Sequence, residues 1–251
     1  MTTDPRFEIL QGDCLRLLDR YPDDHFDAVV ADPPYSSGGA FRSDRVQGSS
    51  NKKYVNGEYP EIHGDSRDSH AWHRWAHMWI SECHRVTRDQ GYFFIFTDWR
   101  QLTNAADALQ VGGYVWRGMI SWDKGPSSRL PHPGYFRHQC EYILWGTKAA
   151  CAAPQHRRHS FDGSISLPVR VAEKSHPTEK PVQLYRHLLE TVPTGSRILD
   201  PFAGSGTSGQ AALELGQSFT GIELSHEYAA IARARLAGVA EPTSQLPLFQ
   251  A

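Results

Sequence analysis

Seven short apolar runs, rich in β-branched and aromatic residues, alternate along this chain with helix-patterned stretches, and that rhythm leaves few folds open. The runs are FEIL (7–10), FDAVVA (26–31), GYFFIF (91–96), YVWRGMISW (114–122), EYILW (141–145), RIL (197–199) and SFTGIEL (218–224). Between them, residues 69–86 place Trp72, Trp75, Ala76, Trp79, Ile80, Cys83 and Val86 at i+3/i+4 spacing, the stripe of a helix with one buried face. Further helices are expected over 181–191, 207–216 and 227–236. Strands alternating with helices predict an α/β fold, a mainly parallel sheet covered by helices on both faces. Two stretches break the rhythm: 36–70, rich in Gly, Ser, Asn and charges, and 124–174, which carries Pro126, Pro131, Pro133, Pro154 and Pro168. Irregular segments of that length within a compact domain are usually functional loops or disordered linkers. The expected organisation is one domain over 1–237 and a tail over 238–251.

Composition matters here chiefly through its distribution. The net charge of −2 hides a first 35 residues with three basic and eight acidic groups, and a segment 124–174 with eight basic and three acidic groups plus four histidines. A basic segment in an otherwise acidic chain is what a local polyanion contact requires. Hydrophobic residues make up 39% of the chain, enough for a packed core and against wholesale disorder. No apolar run is long enough to span a membrane and the N-terminus lacks a signal pattern, so a cytoplasmic enzyme is expected. Cys14, Cys83, Cys140 and Cys151 form no C-x-x-C pair. His70, His73 and His77 fall beside the tryptophan stripe without an H-E-x-x-H pattern, so no metal site is expected.

Two motifs carry chemistry. Gly204, Gly206 and Gly209 form a G-x-G-x-x-G between the strand RIL and a helix, with Glu223 ending the next strand near the offset of a ribose-binding carboxylate. No lysine follows the glycines, so this is not a Walker loop. Asp200, just before them, would repel a pyrophosphate but attract a cationic ammonium, and only a helix and a tail follow Glu223. S-adenosylmethionine is therefore favoured over NAD, leaving an NAD-linked oxidoreductase as a distant alternative. The second motif, Asp32-Pro33-Pro34-Tyr35, directly follows FDAVVA, at the strand end where open α/β sheets bind ligands. The prolines fix φ and leave carbonyls to accept. A carboxylate and a carbonyl can hold both hydrogens of an exocyclic amine and favour the charged, pyramidal nitrogen that arises on methylation. Tyr35 offers a face for an extruded base.

With these residues in view, the sequence resembles the amino-methylating DNA methyltransferases of the circularly permuted β-type, in which D-P-P-Y (here 32–35) precedes D-P-F-x-G-S-G-T (here 200–207). Gly12-Asp13, I-S-W-D-K (120–124), E-Y-I-L-W (141–145) and H-P-T-E-K-P (176–181) match in order, and the resemblance spans residues 8–236. It implies a Rossmann-like fold and the following roles. Asp200 contacts the methionine amino group, Glu223 the ribose, Asp13 the adenine amine, and Thr178 and Lys180 the methionine carboxylate. Phe202 packs against the cofactor, with Gly204, Gly206 and Thr207 forming the loop around it. Asp rather than Ser in the tetrapeptide implies N6-adenine methylation; N4-cytosine methylation is the alternative, followed by an RNA or protein substrate. A restriction-modification setting in bacteria or phage is implied too.

Double-stranded DNA is thus the expected partner, with Arg129, Arg137, Arg157 and Arg158 expected on its phosphates. A homodimer is compatible with the sequence. The tail Gln245-Leu246-Pro247-Leu248-Phe249 follows a Pro/Thr/Ser tether and resembles the Q-L-x-L-F peptide that docks on the bacterial sliding clamp. Leu248 and Phe249 would fill an apolar pocket while Gln245 offers an amide to its polar rim, with Leu246 part of the same peptide. The alternative is that they cover an edge of the enzyme's own core.

Overall fold

The computed structural model describes residues 6–35, 67–126, 133–150, 160–168 and 180–240. Among them, eight strands form one sheet in the order β1-β8-β7-β2-β3-β5-β4-β6. The strands are β1 (Phe7–Gln11), β2 (Phe26–Ala31), β3 (Thr87–Thr97), β4 (Val115–Asp123), β5 (Cys140–Thr147), β6 (Ser164–Ser166), β7 (Arg197–Asp200) and β8 (Ser218–Glu223). The five strands from β1 to β3 run parallel; β5 is antiparallel to both β3 and β4. The central position of β2 follows from its composition. Phe26, Ala28, Val29, Val30 and Ala31 are all buried, and an apolar run covered on both faces belongs mid-sheet.

The helices are α1 (Cys14–Leu17), α2 (Ser69–Val86), α3 (Leu102–Val111), α4 (Val182–Leu189), α5 (Thr207–Glu214) and α6 (His226–Ala240). The expected helix over 69–86 is α2, started by Asp68, whose carboxylate accepts from the backbone N–H groups of His70 and Ala71. Trp72 and Trp79 are fully buried, and Trp79 meets Phe93 of β3. Helices α2 and α3 pack together, as do α4, α5 and α6. With β3 on one side of β2 and β8 on the other side of β7, the right-handed rule for parallel crossovers puts the two groups on opposite faces of the sheet.

Three elements go beyond the sequence expectation. Helix α1 is a single turn capped by Asp13. Helix α3 buries Ala105, Ala106, Ala108 and Leu109, side chains too small to make a strong apolar stripe in sequence. Strand β6 lies within 124–174, expected to be irregular, and pairs with the last three residues of β4.

The chain crosses from β7 to β8 in one direction and from β2 to β3 in the other, so neighbouring β2 and β7 flank a switch point. Loops leaving their carboxyl ends diverge there and open a crevice. Permuted motif order thus brings residues 32–35 and 200–207 to one sheet edge. Strand β1 closes the arrangement by pairing in parallel with β8, with Gln11 opposite Glu223.

Candidate active site

The glycine loop leaves β7 beneath a web of backbone contacts. Gly206 N–H donates to the Ala203 carbonyl (2.8 Å), and Gly206 has φ +83°. A Cβ there would stand 3.1 Å from Cα and Cβ of Ala232 on α6. Gly206→Ala is therefore expected to cost about 1–2 kcal/mol in chemical denaturation; parental stability would refute this account of the glycine. Gly204 differs: its φ is +52°, yet a Cβ would meet nothing within 4 Å. Its surroundings leave room for a ligand to approach the backbone.

Two carboxylates border this loop. Glu223 accepts from Gly204 N–H (2.9 Å) and Ser225 N–H (2.8 Å), which fixes its rotamer at the loop. Asp13 caps α1, accepting from Leu15 N–H at 3.0 Å, and Gly12 N–H donates to the Glu223 carbonyl at 2.9 Å. The pairing of β1 with β8 thus makes neighbours of two acidic residues 210 positions apart in the chain. Phe202 packs edge-on to Trp79 (4.8 Å between centroids) and tilted to Trp75 (5.5 Å), whose ring also carries the Arg67 guanidinium. These rings form an apolar wall beside the loop.

Asp200 lies under the loop, 1% exposed, accepting from Phe202 N–H (2.8 Å) and Ser208 Oγ–H (2.5 Å). Both donors are neutral. Burial pushes its carboxyl up to about 7, despite the hydrogen bonds that favour the charged form. The site therefore fits a ligand bearing positive charge, which would stabilise the ionised form. Because the folded value is raised, the stability linked to Asp200 is fully present below its unfolded value and lost as pH rises through about 7. Affinity for a cationic ligand moves oppositely. It is expected to increase about tenfold per pH unit below 7 and to level off above. Titration calorimetry across that range, with Asp200→Asn as the pH-insensitive control, checks the sign. Thr207 opens α5, with its hydroxyl accepting from Arg235 Nη1 (2.5 Å), a contact that ties the loop to α6.

The tetrapeptide at the end of β2 is held from both sides. Trp72 of α2 donates its indole N–H to the Pro34 carbonyl at 2.8 Å. That carbonyl, expected from sequence to be available to an amine, is thus engaged by the scaffold. Tyr35 is buried, and its hydroxyl donates to Glu141 Oε2 at 3.2 Å. Lys180, 5% exposed, donates to Asp32 Oδ2 at 2.7 Å and lies 3.5 Å from Glu141 Oε2. Lys124 completes the group at 2.8 Å from Glu141 Oε1. Burial works against the Lys180 charge, but Asp32 and Glu141 outweigh it and hold the ammonium above its ordinary range. Burial likewise pushes the Glu141 carboxyl up, and Lys180 with Lys124 more than reverses that, holding it below the usual carboxylate range.

The resemblance implies that Lys180 meets a cofactor carboxylate; in the structure its ammonium is seated between Asp32 and Glu141. Sequence alone assigns no role in the site to Glu141 or Trp72. The signal for Glu141 was a charge at the head of an otherwise apolar strand. Nothing in sequence distinguishes Trp72 from its stripe-mates, because its N–H acts across 38 residues. Arg137 donates to the Pro126 carbonyl at 2.7 Å and is exposed. Thr178, Arg129, Arg157 and Arg158 lie outside the described residues, as do Cys151, the tail residues Gln245, Leu246, Leu248 and Phe249, and most of 36–70. Among the described residues no cluster of His, Cys, Asp or Glu is arranged to hold a metal ion, and no helix is long and apolar enough to cross a membrane.

Residues 26–234, which contain both motifs and every strand but β1, match the DNA methylase family. The chain belongs to that family. It is 31% identical over 237 residues to YubD of Escherichia coli (strain K12), named as a methylase, covering 94% of this chain and 92% of that protein. To the type II methyltransferase M2.DpnII of Streptococcus pneumoniae it is 30% identical over 245 residues, covering 91% and 88%. Among solved structures, M1.HpyAVI in complex with S-adenosylmethionine superposes with a TM-score of 0.65 at 24% identity, over 92% of this chain and 98% of that one, a likeness of fold. Family membership displaces the oxidoreductase alternative.

Proposed function

We propose that this DNA methylase transfers a methyl group from S-adenosylmethionine to the exocyclic N6 of an adenine extruded from double-stranded DNA. The observation that carries the reading is the placement of Asp32-Pro33-Pro34-Tyr35 at the carboxyl end of β2, beside the glycine loop of neighbouring β7. S-adenosylmethionine, when bound, supplies an electrophilic methyl on a sulfonium together with a cationic amino group. Asp200 favours that positive charge from beneath the loop, Glu223 the ribose hydroxyls, and Asp13 the adenine amine. Gly204 allows close approach of the backbone, and the Phe202 wall excludes water.

Asp32 and the Pro33 carbonyl are the acceptors for the two amine hydrogens, since Trp72 engages the Pro34 carbonyl. On transfer, the nitrogen lone pair would bond to the methyl carbon as the carbon–sulfur bond breaks and leaves the neutral thioether; the nitrogen would become pyramidal and positively charged, a charge these acceptors would stabilise until one N–H proton is lost to solvent. Lys180 holds Asp32 in place for this contact. Tyr35, fixed through its hydroxyl, presents its ring to the base. The choice of adenine rests on Asp at the head of the tetrapeptide; N4 of cytosine is the second reading on the same geometry. Labelled S-adenosylmethionine incubated with duplex DNA, RNA or protein, followed by separation of the nucleosides, tests both. Label in N6-methyladenine supports the proposal, label in N4-methylcytosine replaces the base, and label in protein or RNA alone overturns the DNA reading.

The basic segment 124–174 is assigned to DNA phosphates, with Arg129, Arg137, Arg157 and Arg158 as contacts. Each arginine removed should flatten the salt dependence of duplex binding by about one unit in log–log slope. The tail is assigned as a sliding-clamp tether through Gln245, Leu246, Leu248 and Phe249, raising local concentration on newly replicated DNA. Leu248→Ala with Phe249→Ala should abolish binding to a bacterial clamp in calorimetry without lowering the melting temperature. A large loss of melting temperature would favour self-packing instead. Action on chromosomal DNA in the cytoplasm and a homodimeric assembly belong to the same proposal, and sedimentation with and without DNA tests the latter.

A further inference from the structure

We infer that Phe136 is a wedge that enters the duplex where the target base leaves the stack. The inference rests on the DNA-methylating reading above. Sheet register sets the position of this residue. Thr97, the last residue of β3, pairs with Tyr142, and Asp123, the last of β4, pairs with Cys140. The chain joining β4 to β5 therefore hangs from the sheet edge that carries Asp32.

The described part of this connection is firmly based. Lys124 N–H donates to the Gln139 carbonyl at 2.9 Å, and Gln139 Nε2 donates to Asp123 Oδ1 at 3.0 Å. Arg137 Nη1 reaches the Pro126 carbonyl, and His138 stacks on Trp99 with centroids 5.0 Å apart and planes at 17°. Lys124 joins this base directly to Glu141 and the catalytic group.

From it, just after Gly134 (φ +86°), Tyr135 and Phe136 project 73% and 92% exposed. Phe136 is the most exposed large apolar side chain among the described residues. An apolar ring on a pinned base, beside an acceptor site for a base amine, has the shape and chemistry of an intercalating side chain. The surrounding segment carries eight basic groups against three acidic ones, which fits a duplex rather than another protein surface. Extrusion of a base costs unstacking, and an inserted aromatic ring offsets that cost by restoring stacking to the neighbouring bases. Trp99, exposed and stacked on His138, buttresses the loop from the β3 side.

Phe136→Ala and Phe136→Trp separate a wedge from a scaffold residue. Single-turnover methylation would be measured on fully paired duplexes and on duplexes with an abasic site opposite the target, together with 2-aminopurine fluorescence at the target position. Phe136→Ala is expected to lose at least about tenfold in rate and most of the fluorescence rise on the paired duplex. It should recover near-parental rate on the abasic duplex, and Phe136→Trp should retain activity on both. An equal loss on the two duplexes, or no loss on either, overturns the wedge. Absence of parental activity on any DNA would instead overturn the DNA reading itself.

Discussion

Asp32→Ala is expected to slow methyl transfer by roughly 10²–10³-fold, the effect of removing one preorganised electrostatic contact to a developing charge. Binding of S-adenosylmethionine should stay within about twofold of the parent, because loss of an interaction specific to the transition state lowers kcat rather than ground-state affinity. The structure makes this variant interpretable. Lys180 loses its 2.7 Å partner but still faces Glu141 at 3.5 Å, so its ammonium keeps a counter-charge. Trp72 continues to hold the turn through the Pro34 carbonyl. Single-turnover assays at saturating cofactor, paired with calorimetric binding, check both halves. Parental turnover in a folded Asp32→Ala protein would remove this residue from the chemistry.

Lys180→Met should be the most destabilising single change in the site, costing about 3–5 kcal/mol, since it removes one member of a buried ion cluster and leaves the others uncompensated. Asp32 loses its ammonium, and Glu141 is left with Lys124 alone. The pH dependence carries the signature. Glu141 is held below its ordinary range, so its contribution to stability is present above its unfolded value and lost as pH falls through the folded one. Without Lys180 the folded value rises, and acid destabilisation should begin at a higher pH than in the parent. Urea unfolding at pH 5 and pH 8 would show this. Adding Asp32→Asn to Lys180→Met should recover part of the loss, as it removes the carboxylate that has lost its ammonium. Unchanged unfolding midpoints in Lys180→Met at both pH values would show that the cluster carries no such energy.

Several of these residues were legible before folding was considered. The apolar run 26–31 reads as a strand from its composition, and β2 is buried on both faces. The tryptophan spacing marks helix α2 to the residue, since side chains three and four apart share a face. Glycines after a strand mark a strand–loop–helix junction, and the loop 204–206 does lie between β7 and α5 with Gly206 at positive φ. The short helix α3 escaped detection because alanine gives packing without contrast in hydrophobicity.

Chemistry confined to one turn of chain is therefore written in sequence: the tetrapeptide 32–35, the loop 200–207 and their order. What needed the tertiary structure is everything that depends on charges and donors meeting across long separations. Lys180 lies 148 residues from Asp32 in the chain, and only the fold brings its ammonium to 2.7 Å from that carboxylate. Glu141 gains a role only because β5 runs antiparallel to β3 and delivers its first residues to the edge where β2 ends. Trp72 becomes the clamp on Pro34 only when α2 lies against that turn. Spacing along a chain encodes local dihedrals and faces, but electrostatic pairing and burial are set by packing, which no single stretch of sequence contains.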